Sequence, residues 1–219
     1  MRHTFEIENV KISWIGHATF LIEAENKKIY IDPYVIKEEL PKADYVFITH
    51  EHFDHCSIDG LKKVLKESTL VIIPKSCESK VEKVTKNYIV VSPGDIKEID
   101  NIKFEVVHAY NIDKPFHKKG VGVGYVIQIN NVRIYHAGDT DRIPEMKDLK
   151  DITVALLPIG GTYTMNVSEA IEAVKDIKPK YFIPMHYNYL PELNVADEEL
   201  EKIKKELEGI CNVVILKPP

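Results

Sequence analysis

Thr49-His50-Glu51-His52-Phe53-Asp54-His55 follows directly on the apolar run Tyr45-Val46-Phe47-Ile48. Three of the chain's nine histidines and the carboxylate of Asp54 fall within positions 50–55. Neutral imidazole and ionised carboxylate are the groups that borderline divalent ions such as zinc accept. A buildable core does not crowd four of them together without a cation to neutralise them. The stretch therefore reads as a metal site at the end of a strand. In a straight strand, the side chains of His50, His52 and Asp54 would share a face but span roughly 13 Å at about 3.3 Å per residue, too far for one ion. The segment has to curl, and four ligands in six positions serve two ions about 3.5 to 4 Å apart more easily than one.

Further ligands then have to come from elsewhere, and other apolar runs deliver them in equivalent places. Residues 104–107 lead to His108, residues 132–135 lead to Gly138-Asp139-Thr140, and residues 181–185 lead to His186. Strand ends that converge on one sheet edge are where α/β proteins place their ligands.

Around these points the pattern alternates. Strands are expected at 11–14, 19–23 and 28–31, with turn chemistry at Gly16 and at Glu25-Asn26-Lys27. A helix is expected from Ile58 to Leu65 behind the cap Ser57, then strand 70–73, helix 78–84, and strands 88–91 and 102–107. Strands 124–129 and 132–135 are joined by Asn130-Asn131, whose residue type tolerates positive φ. Strand 153–157, helix 168–177 capped at Ser168, strand 181–183, helix 196–207 and strand 213–216 complete the reading. No linker, low-complexity tract or short-period repeat interrupts the 219 residues, which are expected to form one domain with a substantial core at 44% hydrophobic composition.

The net charge of −5 is spread along the chain without a basic block, which argues against nucleic acid as a partner. No apolar stretch reaches membrane-spanning length and the start lacks a signal-peptide pattern, so a soluble, cytoplasmic protein is expected. Cys56, Cys77 and Cys211 are odd in number, widely spaced and expected to be reduced. A single glutamine, Gln128, among abundant Lys and Glu is a composition associated with hyperthermophile proteins.

The ordered set HEHFDH (50–55), His108, GDT with Asp139 and MHY with His186 resembles the metallo-β-lactamase superfamily over essentially the whole chain. Within it, WIGHATF (14–20), HAYN (108–111), GVGVGY (120–125) and IPMHYN (183–188) resemble the ascorbate-6-phosphate-lactonase-like branch of metal-dependent hydrolases. N-acyl-phosphatidylethanolamine phospholipase D is a more distant relative by the same signature. The resemblance implies an α+β fold, a four-layered αβ/βα sandwich with a dinuclear site in the cleft along the sheet edge. By that resemblance His50, His52 and His108 would hold one ion, Asp54, His55 and His186 the other, and Asp139 and a water would bridge them. Zinc is the first expectation, with manganese and iron as alternatives for an all-N/O site. Asp139 stands where the secreted, antibiotic-hydrolysing members have a cysteine, which disfavours lactam resistance. His52 stands where flavodiiron oxidoreductases have a glutamate, which favours hydrolysis over redox chemistry.

The expected function is hydrolysis of a small ester-like, anionic substrate (a lactone, phosphoester or phosphodiester) by hydroxide bridging the two ions. A nuclease of the same fold and a non-catalytic metal-binding protein are the alternatives. Asp54 is a ligand first and a candidate base second. His117, in the basic stretch 114–120, is either a catalytic residue that closes over the substrate and donates a proton, or part of a solvated loop. His17 is either near the cleft or a hydrogen-bonded core histidine. Asp32 either orients a ligand histidine or caps a turn before Pro33. Tyr163, Tyr187 and Asn188 either line the pocket or serve turns, while His136 and His3 read as structural or surface residues.

Overall fold

The computed structural model describes residues 3–37 and 40–217. The first sheet has seven strands in chain order: β1 (Thr4–Ile7), β2 (Val10–Gly16), β3 (Thr19–Ala24), β4 (Lys27–Ile31), β5 (Tyr45–Phe47), β6 (Leu70–Pro74) and β7 (Tyr88–Val91). The second sheet has seven more: β8 (Ile96–Ile99), β9 (Ile102–Ala109), β10 (Gly122–Ile129), β11 (Val132–His136), β12 (Val154–Pro158), β13 (Tyr181–Met185) and β14 (Asn212–Val213). In each sheet the first four strands form an antiparallel meander and the rest add in parallel.

The meanders are set by two-residue turns. Ile7 pairs with Val10, Ala24 with Lys27 and Ile99 with Ile102. The intervening pairs Glu8-Asn9, Glu25-Asn26 and Asp100-Asn101 all have positive φ, as the tight hairpin whose twist matches the strands requires. The parallel strands need crossovers. These are supplied in the first half by α1 (Ile58–Val64) and α2 (Glu78–Val81), and in the second by α3 (Val167–Ile177) and α4 (Asp197–Glu206).

Two apolar clusters show the layering. One joins the facing sides of the sheets and the buried face of α3. Within it, the Phe47 ring stands edge-on to Phe104 and Tyr125, each at 5.1 Å between centroids. The other packs Leu61, Val64 and Val81 of α1 and α2 against Leu21, Tyr30 and Val46 on the outer face of the first sheet. The result is the expected four-layered sandwich, helices outside and two sheets inside.

Some boundaries move. The strands β1 and β8 add to the expected set, and β14 is shorter than the expected run 213–216. The cap of α3 is Asn166 rather than Ser168: its side chain accepts from the Glu169 N–H while the Glu169 carboxylate accepts from the Asn166 N–H.

Candidate metal centre

The centre is built on connections that leave the ends of β4, β5, β11 and β13. After β5, Thr49 is pinned to the Asp32 carboxylate through its N–H at 2.8 Å and its hydroxyl at 2.6 Å. The chain then curls: the N–H groups of His55 and Cys56 both donate to the His52 carbonyl, at 3.1 and 2.8 Å, before Ser57 caps α1. This curl supplies what a straight strand could not, and brings the His50 ring within 4.6 Å of His52 and 4.1 Å of His55, centroid to centroid.

Asp139 enters from the end of β11 by way of Gly138. That residue has φ +64°, and a Cβ there would meet the Val123 carbonyl oxygen at 2.8 Å, so only glycine fits. Asp139 is 4% exposed, and its carboxylate lies among the imidazoles. Its Oδ2 is 3.2 Å from both His117 Nε2 and His186 Nε2, and its Oδ1 is 3.3 Å from His55 Nε2.

His186, just past β13, has φ +56°, and His17, in the β2–β3 turn, has φ +53°. The two left-handed histidines are tied together across the sheets by the His186 N–H donating to the His17 carbonyl at 3.0 Å. The Trp14 indole N–H holds the same oxygen at 2.8 Å. Such backbone strain in non-glycine residues persists only where surrounding contacts impose it.

Ligand-capable atoms fall into three groups, each within 4.8 Å: His50, His52 and His117; Asp54, His55, His186 and His17; and His50, His55 and Asp139. Six of the seven expected ligands are thus brought together. His108 is not, contrary to the expectation that it joins His50 and His52: the ring that lies beside those two is that of His117. β9 continues through Ala109, with His108 paired to Val123 inside the sheet. The chain then loops out and returns, closed by the Asn111 N–H on the His117 carbonyl and the His117 N–H on Asn111 Oδ1, both at 2.8 Å. His108 stays half-buried, edge-on to Tyr110.

The orphaned atoms test whether a cation fits. Nε2 of His50, His55, His117 and His186 and Oδ1 of Asp139 are buried with no hydrogen-bond partner, and all belong to the same cluster. His17 Nδ1, His108 Nδ1, His186 Nδ1 and Glu51 Oε2 are buried without a partner as well. Folded proteins pair the great majority of their buried polar atoms, so a convergent set of nitrogen and oxygen lone pairs fits divalent ions. Three of the four outer nitrogens are occupied: His55 Nδ1 meets Asp32 Oδ2 at 2.6 Å, His50 Nδ1 meets the Thr49 hydroxyl at 3.0 Å, and His117 Nδ1 meets Asn111 Oδ1 at 3.1 Å. Ligand histidines held in this way have their tautomer and ring orientation fixed.

The charges of the centre, without an ion, divide between neutral imidazoles, ionised carboxylates and one imidazole held protonated, whose proton an ion would displace. Burial lowers the pKa of His50 well below that of a free imidazole and that of His17 to about 4, leaving both neutral. Burial opposes ionisation of Asp54, but the His17 hydrogen bond at 2.8 Å and the His55 charge outweigh it and hold the carboxyl at about 2. Burial likewise opposes the charge on Asp139, and His186 and His55 overcome it. For His55 burial favours the neutral ring, yet Asp139 and Asp32 raise its pKa well above the usual histidine range.

A cavity of 320 Å³ opens over Asp54, His117 and Asp139, with Tyr163 in its wall. Phe53, Phe116, Leu190 and Glu192 also line it, and none of them carried a sequence signal beyond its position in a loop. Tyr187 instead stacks on Trp14, and Asn188 hydrogen-bonds Val195. His136 is a core residue that meets the Ala18 carbonyl, and Cys56 is a buried thiol. In the basic stretch, Lys114 pairs with Asp141 at 2.6 Å and Lys119 with Glu145 at 2.7 Å.

The family described as beta-lactamase superfamily domain matches residues 11–186. The chain belongs to the metallo-β-lactamase superfamily. It is 33% identical to a UPF0173 metal-dependent hydrolase of Archaeoglobus fulgidus, over 95% of this chain and 96% of that one. It is 35% identical to another of that description from Pyrococcus furiosus, over 95% and 97%. A solved metallo hydrolase from Ignicoccus hospitalis superposes with a TM-score of 0.80 at 27% identity, covering 95% of each chain. Within the superfamily this chain is a metal-dependent hydrolase. Among the described residues, no helix is long and apolar enough to cross a membrane.

Proposed function

We propose that the chain is a dinuclear hydrolase of small ester-like substrates. His50, His52 and His117 would hold one divalent ion, Asp54, His55 and His186 the other, and Asp139 would serve both. The observation that carries this reading is the convergence of four orphaned Nε2 atoms on the Asp139 carboxylate. Zinc is the favoured ion, since the donors are imidazole and carboxylate. When bound, such ions lower the pKa of a water to near neutrality and polarise the carbonyl or phosphoryl oxygen of the substrate.

The protein's part is positioning. His17 fixes Asp54 through its Nε2, the nitrogen on the side of the centre, and so acts on the centre through Asp54. Asp32 fixes His55, and Asn111 fixes His117. The low pKa of Asp54 suits a ligand and not a base at neutral pH. His117 is likewise assigned as a ligand in place of the proton donor expected from its loop, because its Nε2 faces Asp139.

The test is turnover of an ester panel by zinc-loaded protein. Asp139→Ala is expected to lower kcat/KM by more than about 100-fold, the loss of a group that serves both ions. Hydrolysis that survives in that variant, or that is indifferent to a chelator, would overturn the proposal.

A further inference from the structure

The cavity over the centre carries information about what enters it, on the hydrolytic reading above. Its floor is polar, with Asp54, His117 and Asp139. Its outer part is different in kind: Phe53 and Phe116 stand in its walls, with Leu190 beside them and Glu192 at the rim. Among the described residues, no lysine or arginine lines the cavity. The nearest candidates in the loop, Lys114 and Lys119, have carboxylate partners of their own on Asp141 and Glu145.

Phe53 is 65% exposed and Phe116 43% exposed, although both rings are braced. Phe116 is edge-on to Tyr163 at 4.8 Å and Phe53 edge-on to Tyr34 at 5.9 Å. Two large apolar side chains presented to water beside a reactive floor mark a binding surface rather than a packing remnant. Glu192 is tied to the same wall: the Tyr163 hydroxyl donates to its Oε1 at 3.4 Å, and the Thr162 hydroxyl to its carbonyl at 2.9 Å.

We infer that the cavity selects substrates whose group remote from the scissile bond is uncharged and aromatic, with Phe53 and Phe116 as its walls and Glu192 as the element that rejects anions. An aromatic ring there removes apolar surface from water and finds edge-to-face partners. An anionic group in the same place loses hydration, meets no counter-cation and faces a carboxylate. This replaces the anionic substrate expected from the basic loop.

The test compares 2-naphthyl acetate with its 6-sulfonate on zinc-loaded protein, each rate normalised to the ester's own hydroxide-catalysed rate. The neutral ester is expected to show kcat/KM at least about tenfold higher, and Glu192→Gln to narrow that ratio by about threefold, a reduced effect because the carboxylate is solvent-exposed. Phe116→Ala is expected to raise KM for the neutral ester. Equal or better turnover of the sulfonate, or a ratio that Glu192→Gln leaves unchanged, overturns the inference.

Fluorescence titration with 2-methoxynaphthalene and its 6-sulfonate reads the same preference without turnover. Tighter binding of the sulfonate overturns the inference as well. If neither ester is cleaved while the neutral ether binds more tightly, the proposal fails for carboxylic esters and the preference of the cavity stands.

Discussion

Asp32 holds more of the centre than its place in the chain indicates. It is fully buried in a left-handed conformation, φ +45°, and its carboxylate accepts from the Thr49 N–H, the Thr49 hydroxyl and His55 Nδ1. That arrangement fixes both the direction of the ligand curl and the tautomer of His55, so that Nε2 faces Asp139. Asp32→Asn is expected to weaken metal affinity by about 10 to 100-fold while the fold persists, as removal of such outer partners does. Competition with a chromogenic chelator measures it, and unchanged affinity would contradict the role. At this scale the candidate ligands at 50–55, 139 and 186 were legible in the sequence, because each combines a ligand residue type with the end of an apolar run. His117 was not legible as a member of that cluster. It and His108 flank one loop, and spacing does not say where β9 stops or how the loop returns. His17 and Asp32 were each open between two roles until their hydrogen-bond partners were placed.

At the scale of elements, turn chemistry decides more than strand composition. Glu25-Asn26 reads as a hairpin turn, but Glu8-Asn9 and Asp100-Asn101 carry the same acid–asparagine signal and mark β1 and β8, which amphipathic patterning alone leaves out. The loop from β9 to β10 is held by another asparagine. Asn111 accepts from the His117 N–H and donates to Asp141 Oδ1 and to the Tyr163 carbonyl, both at 3.0 Å. Asn111→Ala leaves the buried His117 N–H unsatisfied, and an expected cost of about 1 to 3 kcal/mol should appear in urea unfolding of the metal-free protein. The same variant should bind one of its two ions more weakly, because the His117 ring loses its brace. Wild-type stability together with wild-type metal affinity would show that the loop is held by other contacts.

At the scale of the molecule, the two halves repeat one plan that no sequence repeat reveals: four antiparallel strands, then parallel strands joined by crossovers. Corresponding connections serve the centre. The β2–β3 turn supplies His17 and the β9–β10 loop His117, while the end of β4 supplies Asp32 and that of β11 Asp139. The first half provides His50, His52, Asp54 and His55, and the second His117, Asp139 and His186, so each ion would draw on both sheets. The order of layers was legible through resemblance, whereas this exchange of loops between halves depends on how the sheets face each other. The most direct test is the number of zinc ions per chain, by elemental analysis after reconstitution and desalting, in wild type, His117→Ala and His108→Ala. The account predicts about two, about one and about two, since only removal of a ligand empties a site. Loss of an ion from His108→Ala with full occupancy in His117→Ala would contradict it.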